Sequence, residues 1–109
     1  MAWAQFVSWF IGGMFLANAV PHFVNGISGR PFQSPFAKPP GKGLSSSTVN
    51  VLWGAFNALV GYLLVLRVGR FDCRSNVDVA VAGAGALVMA VMMARTFGRL
   101  HGGNLKTRA

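Results

Sequence analysis

Apolar residues fill three long stretches of the chain, and within each the small and polar residues return at helical intervals. The first stretch runs from about Trp3 to Asn25, with Phe6, Val7, Trp9, Phe10, Ile11, Met14, Phe15 and Leu16 as its body. The second runs from about Thr48 to Leu66, TVNVLWGAFNALVGYLLVL, and no charged residue lies between Lys42 and Arg67. The third runs from about Val77 to Phe97. Its uncharged core, VAVAGAGALVMAVMMA, has 16 residues between Asp78 and Arg95. At 1.5 Å per residue that is about 24 Å, somewhat less than a hydrocarbon core of about 30 Å. A snorkelling Arg95, followed by Thr96 and Phe97, supplies the missing length. The pattern predicts an all-α membrane protein with three transmembrane helices, forming a single integral membrane domain over 1–109.

The helix ends carry their own signals. Ser47 or Thr48 can cap the second helix after the Ser45-Ser46 run. Ser75 followed by Asp78 has the spacing of a capping box for the third. Gly102-Gly103 stops any extension of that helix, and the tail 104–109 is expected to fray.

Each span has a face suited to another helix. The first offers Ser8, Gly12, Asn18, His22 and Asn25. The second offers Asn50, Gly54, Asn57 and Gly61 at i, i+4, i+7 and i+11. The third offers Ala82, Ala86, Ala90 and Ala94, with Gly83 and Gly85 beside them. Small residues let backbones approach, and amides hydrogen-bond across helices. Gly54, Gly61, Ala82, Ala86 and Ala90 are therefore expected to pack helices. Depth adds to this. Asn57 lies about 13 Å into the second span and Asn18 about 10 Å before the end of the first, so the two can meet near mid-membrane. His22, Asn25 and Asn50 fall nearer the first loop. Pro21 breaks the hydrogen bond to the Ala17 carbonyl and kinks the helix beside this polar stripe. A kinked helix with a freed carbonyl is also how polar membrane cavities form. Asn18, His22, Asn25, Asn50 and Asn57 are thus candidate ligand-binding residues as well as helix glue.

The first connection, residues 26–47, is rich in proline and phenylalanine. Pro31, Pro35 and Pro39 exclude a regular helix and favour extended or turn geometry. Irregular backbone cannot face hydrocarbon, so the loop is expected at the membrane interface or folded over the helix ends. There Phe32 and Phe36 would point into the lipid, and Arg30, Lys38 and Lys42 would reach the headgroups.

Composition narrows the partners. Hydrophobic residues make up 53% of the 109 and charged residues 11%, with a net charge of +8. A soluble domain carries about 25% charge. The cations flank the apolar runs instead of lining a folded face, so no nucleic-acid partner is expected; the lipid bilayer is. Their distribution favours a topology with the N-terminus outside and the C-terminus cytoplasmic in a bacterial-type inner membrane. That topology puts seven Lys/Arg on the cytoplasmic side and three outside. Ala17-Asn18-Ala19 has the form of a signal-peptide cleavage site. The start MAWAQ lacks a positive n-region, however, so a retained helix is expected. Three short helices bury little surface, which points to partner helices, from copies of the chain or from a larger complex.

Catalytic signatures are lacking. Asp72 and Asp78, the only carboxylates, lie outside the span cores, so paired-carboxylate chemistry has no basis. Ser8 and His22 are about 21 Å apart along one helix. GAGA at 83–86 follows no strand and is no phosphate loop. The single cysteine, Cys73, can form no internal disulfide and no cysteine zinc site. No enzyme activity, metal or cofactor is expected, and a bis-histidine haem on His22 and His101 has no second supporting feature. The expected role is structural or accessory. The alternative is a binder or transporter of a lipid, quinone or other small solute through a polar cavity around His22.

Overall fold

The computed structural model describes residues 2–103, and these form three α-helices and one short hairpin. Helix α1 spans Ala2–Ile27, α2 spans Ser47–Leu66 and α3 spans Asn76–His101. All three are long and apolar enough to cross a membrane. Between α1 and α2, β1 (Phe32–Gln33) pairs antiparallel with β2 (Leu44–Ser45), in the register Phe32↔Ser45 and Gln33↔Leu44.

Two helix ends differ from the sequence expectation. Ser46, not Ser47 or Thr48, caps α2: it is extended, at φ −61° and ψ 161°, and its Oγ accepts from Val49 N at 3.2 Å. Helix α3 continues past Phe97 to His101 and stops where Gly102 takes the left-handed conformation at φ 80°. At its start Ser75 Oγ accepts from Asp78 N at 3.2 Å. The reciprocal arm of a capping box goes elsewhere, because the Asp78 carboxylate accepts from Asp72 N at 3.0 Å and ties down the preceding loop.

Helix α1 is the central element. It packs against both α2 and α3, which take different flanks of it and make little contact with each other. The α1–α2 pair is antiparallel and close. A Cβ on Gly61 would stand 3.0 Å from the Gly12 carbonyl, one on Gly54 would stand 2.7 Å from Phe23 N, and one on Gly26 would stand 2.7 Å from Ser47 O. The α1–α3 pair runs parallel. A Cβ on Gly13 would overlap the Ala82 carbonyl, and one on Gly85 would overlap the Phe10 carbonyl. Ala82 and Ala86 thus border the contact, and Gly85 is buried in it. Ala90, one turn further on, is exposed and lines an open groove between α1 and α3, away from this closest contact. The groove opens there because the small side chains of Ala90 and Ala94 face Ala17, Val20 and the ring of Pro21 without filling the gap.

The outer faces are apolar. Leu52, Phe56, Leu59 and Leu63 on α2, and Leu87, Val88, Val91 and Met92 on α3, are exposed. This is the inverse of a soluble bundle and matches helices solvated by lipid or by other helices.

The second loop, 67–75, closes one end of the bundle. Trp9 is 1% exposed and its indole N–H donates to Val68 O at 2.8 Å. Phe6 and Phe71 meet its ring edge-on, at centroid distances of 5.4 and 5.2 Å. One turn along, Ser8 Oγ donates to Leu64 O at 2.7 Å. Trp9 thus binds a carbonyl just past α2, and Ser8 binds one in its last turn, where helical partners run out.

Candidate functional site

The other end of the bundle holds the polar residues singled out by the spacing. Asn18 Nδ2 donates to Asn57 Oδ1 at 3.0 Å, across the α1–α2 contact. Asn57 is 1% exposed, and its own amide turns back to Trp53 O at 2.7 Å. Nearer the loop, His22 Nδ1 lies 2.8 Å from Asn50 Oδ1. Asn25 forms no bridge to α2. Its amide donates to Pro21 O, one turn back on its own helix, at 2.7 Å. The bond goes to the carbonyl of the proline itself and not to that of Ala17, because a side chain at i+4 reaches back four residues and no further.

Asn50 is the hub of this end. It is 0% exposed, and its Nδ2 lies 3.1 Å from Phe32 O, 3.2 Å from Ser45 O and 3.0 Å from Ser46 O. One amide thus gathers β1, β2 and the cap of α2. The three carbonyls also fix which end of the amide is nitrogen. Oδ1 therefore faces His22, and His22 Nδ1 must carry the proton that bridges them. In the neutral ring this leaves Nε2 as the acceptor atom.

The hairpin lies over these groups as a roof. Phe32 was expected to enter the lipid. Instead it is 6% exposed and packs edge-on against His22, Phe97 and His101, at centroid distances of 5.4, 4.8 and 5.5 Å. The extra turn of α3 explains the difference, since Phe97 and His101 stand one turn apart and offer the ring a protein surface. Gln33, Ser34 and Ala37 are buried with it. Gln33 Oε1 lies 2.8 Å from His101 Nε2, and the hydroxyls of Ser34 and Ser45 bond across the hairpin. Phe36, by contrast, is 65% exposed and meets Trp53 edge-on at 5.2 Å. Arg30, Lys38 and Lys42 are exposed around the loop.

Between roof and helices lies a pocket of about 390 Å³. Asn18, His22, Gln33, Ser34, Trp53, Thr96 and Phe97 are among the residues that line it. Among the described residues no charged side chain lines it. The Trp53 indole nitrogen is buried and has no hydrogen-bond partner among the described residues. A wider apolar groove of about 590 Å³ opens between α1 and α3 beyond Phe97. Among the described residues no three His, Cys, Asp or Glu side chains are grouped to hold a metal ion.

The structure therefore brings Asn18 to Asn57 and His22 to Asn50, and leaves Asn25 apart. Sequence reasoning passed over Gln33, Ser34 and Trp53; it weighed His101 only as a haem ligand and used Phe97 only to lengthen the third span. For Phe97 and His101 a signal toward this site existed: their i, i+4 spacing ahead of Gly102 marks one helical face. The fold and site together define an all-helical bundle, its three helices long and apolar enough to cross a membrane, with a polar pocket under an irregular roof. No family model, no curated protein and no solved structure matches this chain.

Proposed function

We propose that the protein is a small multi-pass membrane protein with a structural or accessory role. The observation that carries this reading is the use of the polar stripe: Asn18, His22, Asn25, Asn50 and Asn57 all form hydrogen bonds within the chain. Polar groups in hydrocarbon must be paired, and these pairs hold the packing of α1 on α2 and the hairpin on both. The apolar outer face of α3, which has α1 as its neighbour, suits partner helices from copies of the chain or from a larger complex. Extraction in a mild detergent followed by native mass spectrometry is expected to give a multiple of the chain's mass, or the chain with a companion subunit. A lone chain carrying only lipid overturns the accessory reading.

The proposed setting is a bacterial-type inner membrane, with the N-terminus outside and the C-terminus in the cytoplasm. The distribution of cations supports it. Cys73 lies exposed in the second loop, which this topology places outside. A membrane-impermeant maleimide is expected to label Cys73 on intact cells. Labelling that requires permeabilisation reverses the topology.

The pocket lined by His22 favours a second reading, a binder or transporter of a lipid, quinone or other small solute.

A further inference from the structure

The pocket has a chemistry of its own. It is lined by polar groups of both hydrogen-bonding kinds and, among the described residues, by no charge, which disfavours phosphate, carboxylate and ammonium head groups. Its aromatic walls are Trp53 and Phe97, whose ring centroids lie 6.3 and 6.4 Å from that of His22. Such walls suit a flat ring. Its volume, about 390 Å³, falls within the range of about 300–1,000 Å³ usual for small-molecule sites.

Two polar atoms then narrow the ligand. His22 Nδ1 is committed to Asn50, so the ring can offer the pocket Nε2, an acceptor. Trp53, which lines the pocket, carries an indole N–H that is buried with no partner among the described residues. A buried donor left unpaired is unfavourable, and a small turn of the indole toward the pocket would pair it with a ligand oxygen. A ligand that satisfies both atoms needs a hydroxyl to donate and an oxygen to accept.

We propose that the pocket under the hairpin binds the ring-bearing head of a neutral hydroxy-substituted amphipath, of the quinol class, with a hydroxyl donating to His22 Nε2 and an oxygen accepting from Trp53 Nε1. The apolar tail of such a molecule leaves the pocket past Trp53 into the groove lined by Phe36, Val49, Leu52 and Phe56. The proposal rests on the second reading above and is compatible with the accessory role.

The test uses the full chain in lipid nanodiscs, with decylubiquinol as probe and decylbenzene as a control without oxygen. Decylubiquinol is expected to bind saturably and to raise the unfolding temperature, and decylbenzene is not. Trp53→Phe keeps the wall and removes the N–H. It is expected to weaken probe binding about fivefold to tenfold, the worth of one neutral hydrogen bond, without destabilising the free protein. His22→Asn keeps a donor for Asn50 and removes Nε2, and is expected to weaken binding similarly. Equal binding of decylbenzene, or wild-type affinity in both variants, overturns the quinol class. If a co-purifying lipid occupies the pocket and the probe does not displace it, the class falls and the binder reading stands. If the pocket takes neither, both fall.

Discussion

Asn50→Leu is expected to destabilise the protein by about 3–5 kcal/mol and to release the hairpin. Leucine has the branching of asparagine and is bulkier, so no cavity is left; the effect is one of lost hydrogen bonds with some overpacking. The substitution removes the acceptor for His22 Nδ1 and the donor shared by the carbonyls of Phe32, Ser45 and Ser46. The Ser46 carbonyl keeps its backbone bond from Asn50 N at 3.0 Å, so the cost falls on the His22 ring and the two hairpin carbonyls. A buried group left unpaired costs about 1–3 kcal/mol. Relief comes by lifting the hairpin so that water reaches these groups, which exposes Phe32 and Gln33. Two measurements check this: the unfolding midpoint of the purified protein in detergent, and amide exchange over residues 32–45, which is expected to accelerate. Asn25→Ala is the contrast. The Asn25 side chain bonds only to its own helix, so its loss is expected to cost less than about 1 kcal/mol. Equal effects of the two substitutions would remove Asn50 from its place as hub.

The same residue shows where the sequence was legible and where it was not. Spans could be read because hydropathy and a period of 3.6 act locally, and the meeting of Asn18 with Asn57 follows from counting rises along two antiparallel helices. That Asn50 would gather three carbonyls could not be read. Two of them belong to two-residue strands whose pairing has no periodicity of its own. Phe32 shows a different limit. An aromatic ring in a proline-rich loop suits lipid or protein equally, and the choice was made by Phe97 and His101, some 65 residues away in sequence. Asn25 misled for the opposite reason: it shares the face of Asn18 and His22, yet a proline carbonyl one turn back lay nearer than any partner on α2. For α3 the alanine repeat was visible. Which small residue meets α1 most closely depends on the rotation of the helix, and this favours Gly85 over Ala90.

That rotation gives the second large effect. Gly85→Ala is expected to cost about 2–3 kcal/mol, whereas Gly83→Ala, two residues away, is expected to be neutral or to stabilise by up to about 1 kcal/mol. The chemistry of the two changes is the same, one methyl group on one helix. A Cβ at 85 would overlap the carbonyl of Phe10, which is backbone and cannot rotate away, and overpacking of this kind costs about 1–3 kcal/mol. A Cβ at 83 meets nothing within 4 Å, so only the helix propensity of alanine over glycine remains. The strain at 85 has one outlet, since α3 packs on α1 and scarcely on α2: the two helices must separate. Gly13→Ala strains the same contact from the other side, at the Ala82 carbonyl. The double variant Gly13→Ala, Gly85→Ala is therefore expected to cost clearly less than the sum of its parts, because a contact opened by one methyl has room for the second. Unfolding midpoints for the three single variants and the double, measured in one detergent, decide the matter. Full additivity, or a loss at Gly83 equal to that at Gly85, would mean that α3 meets α1 in some other register.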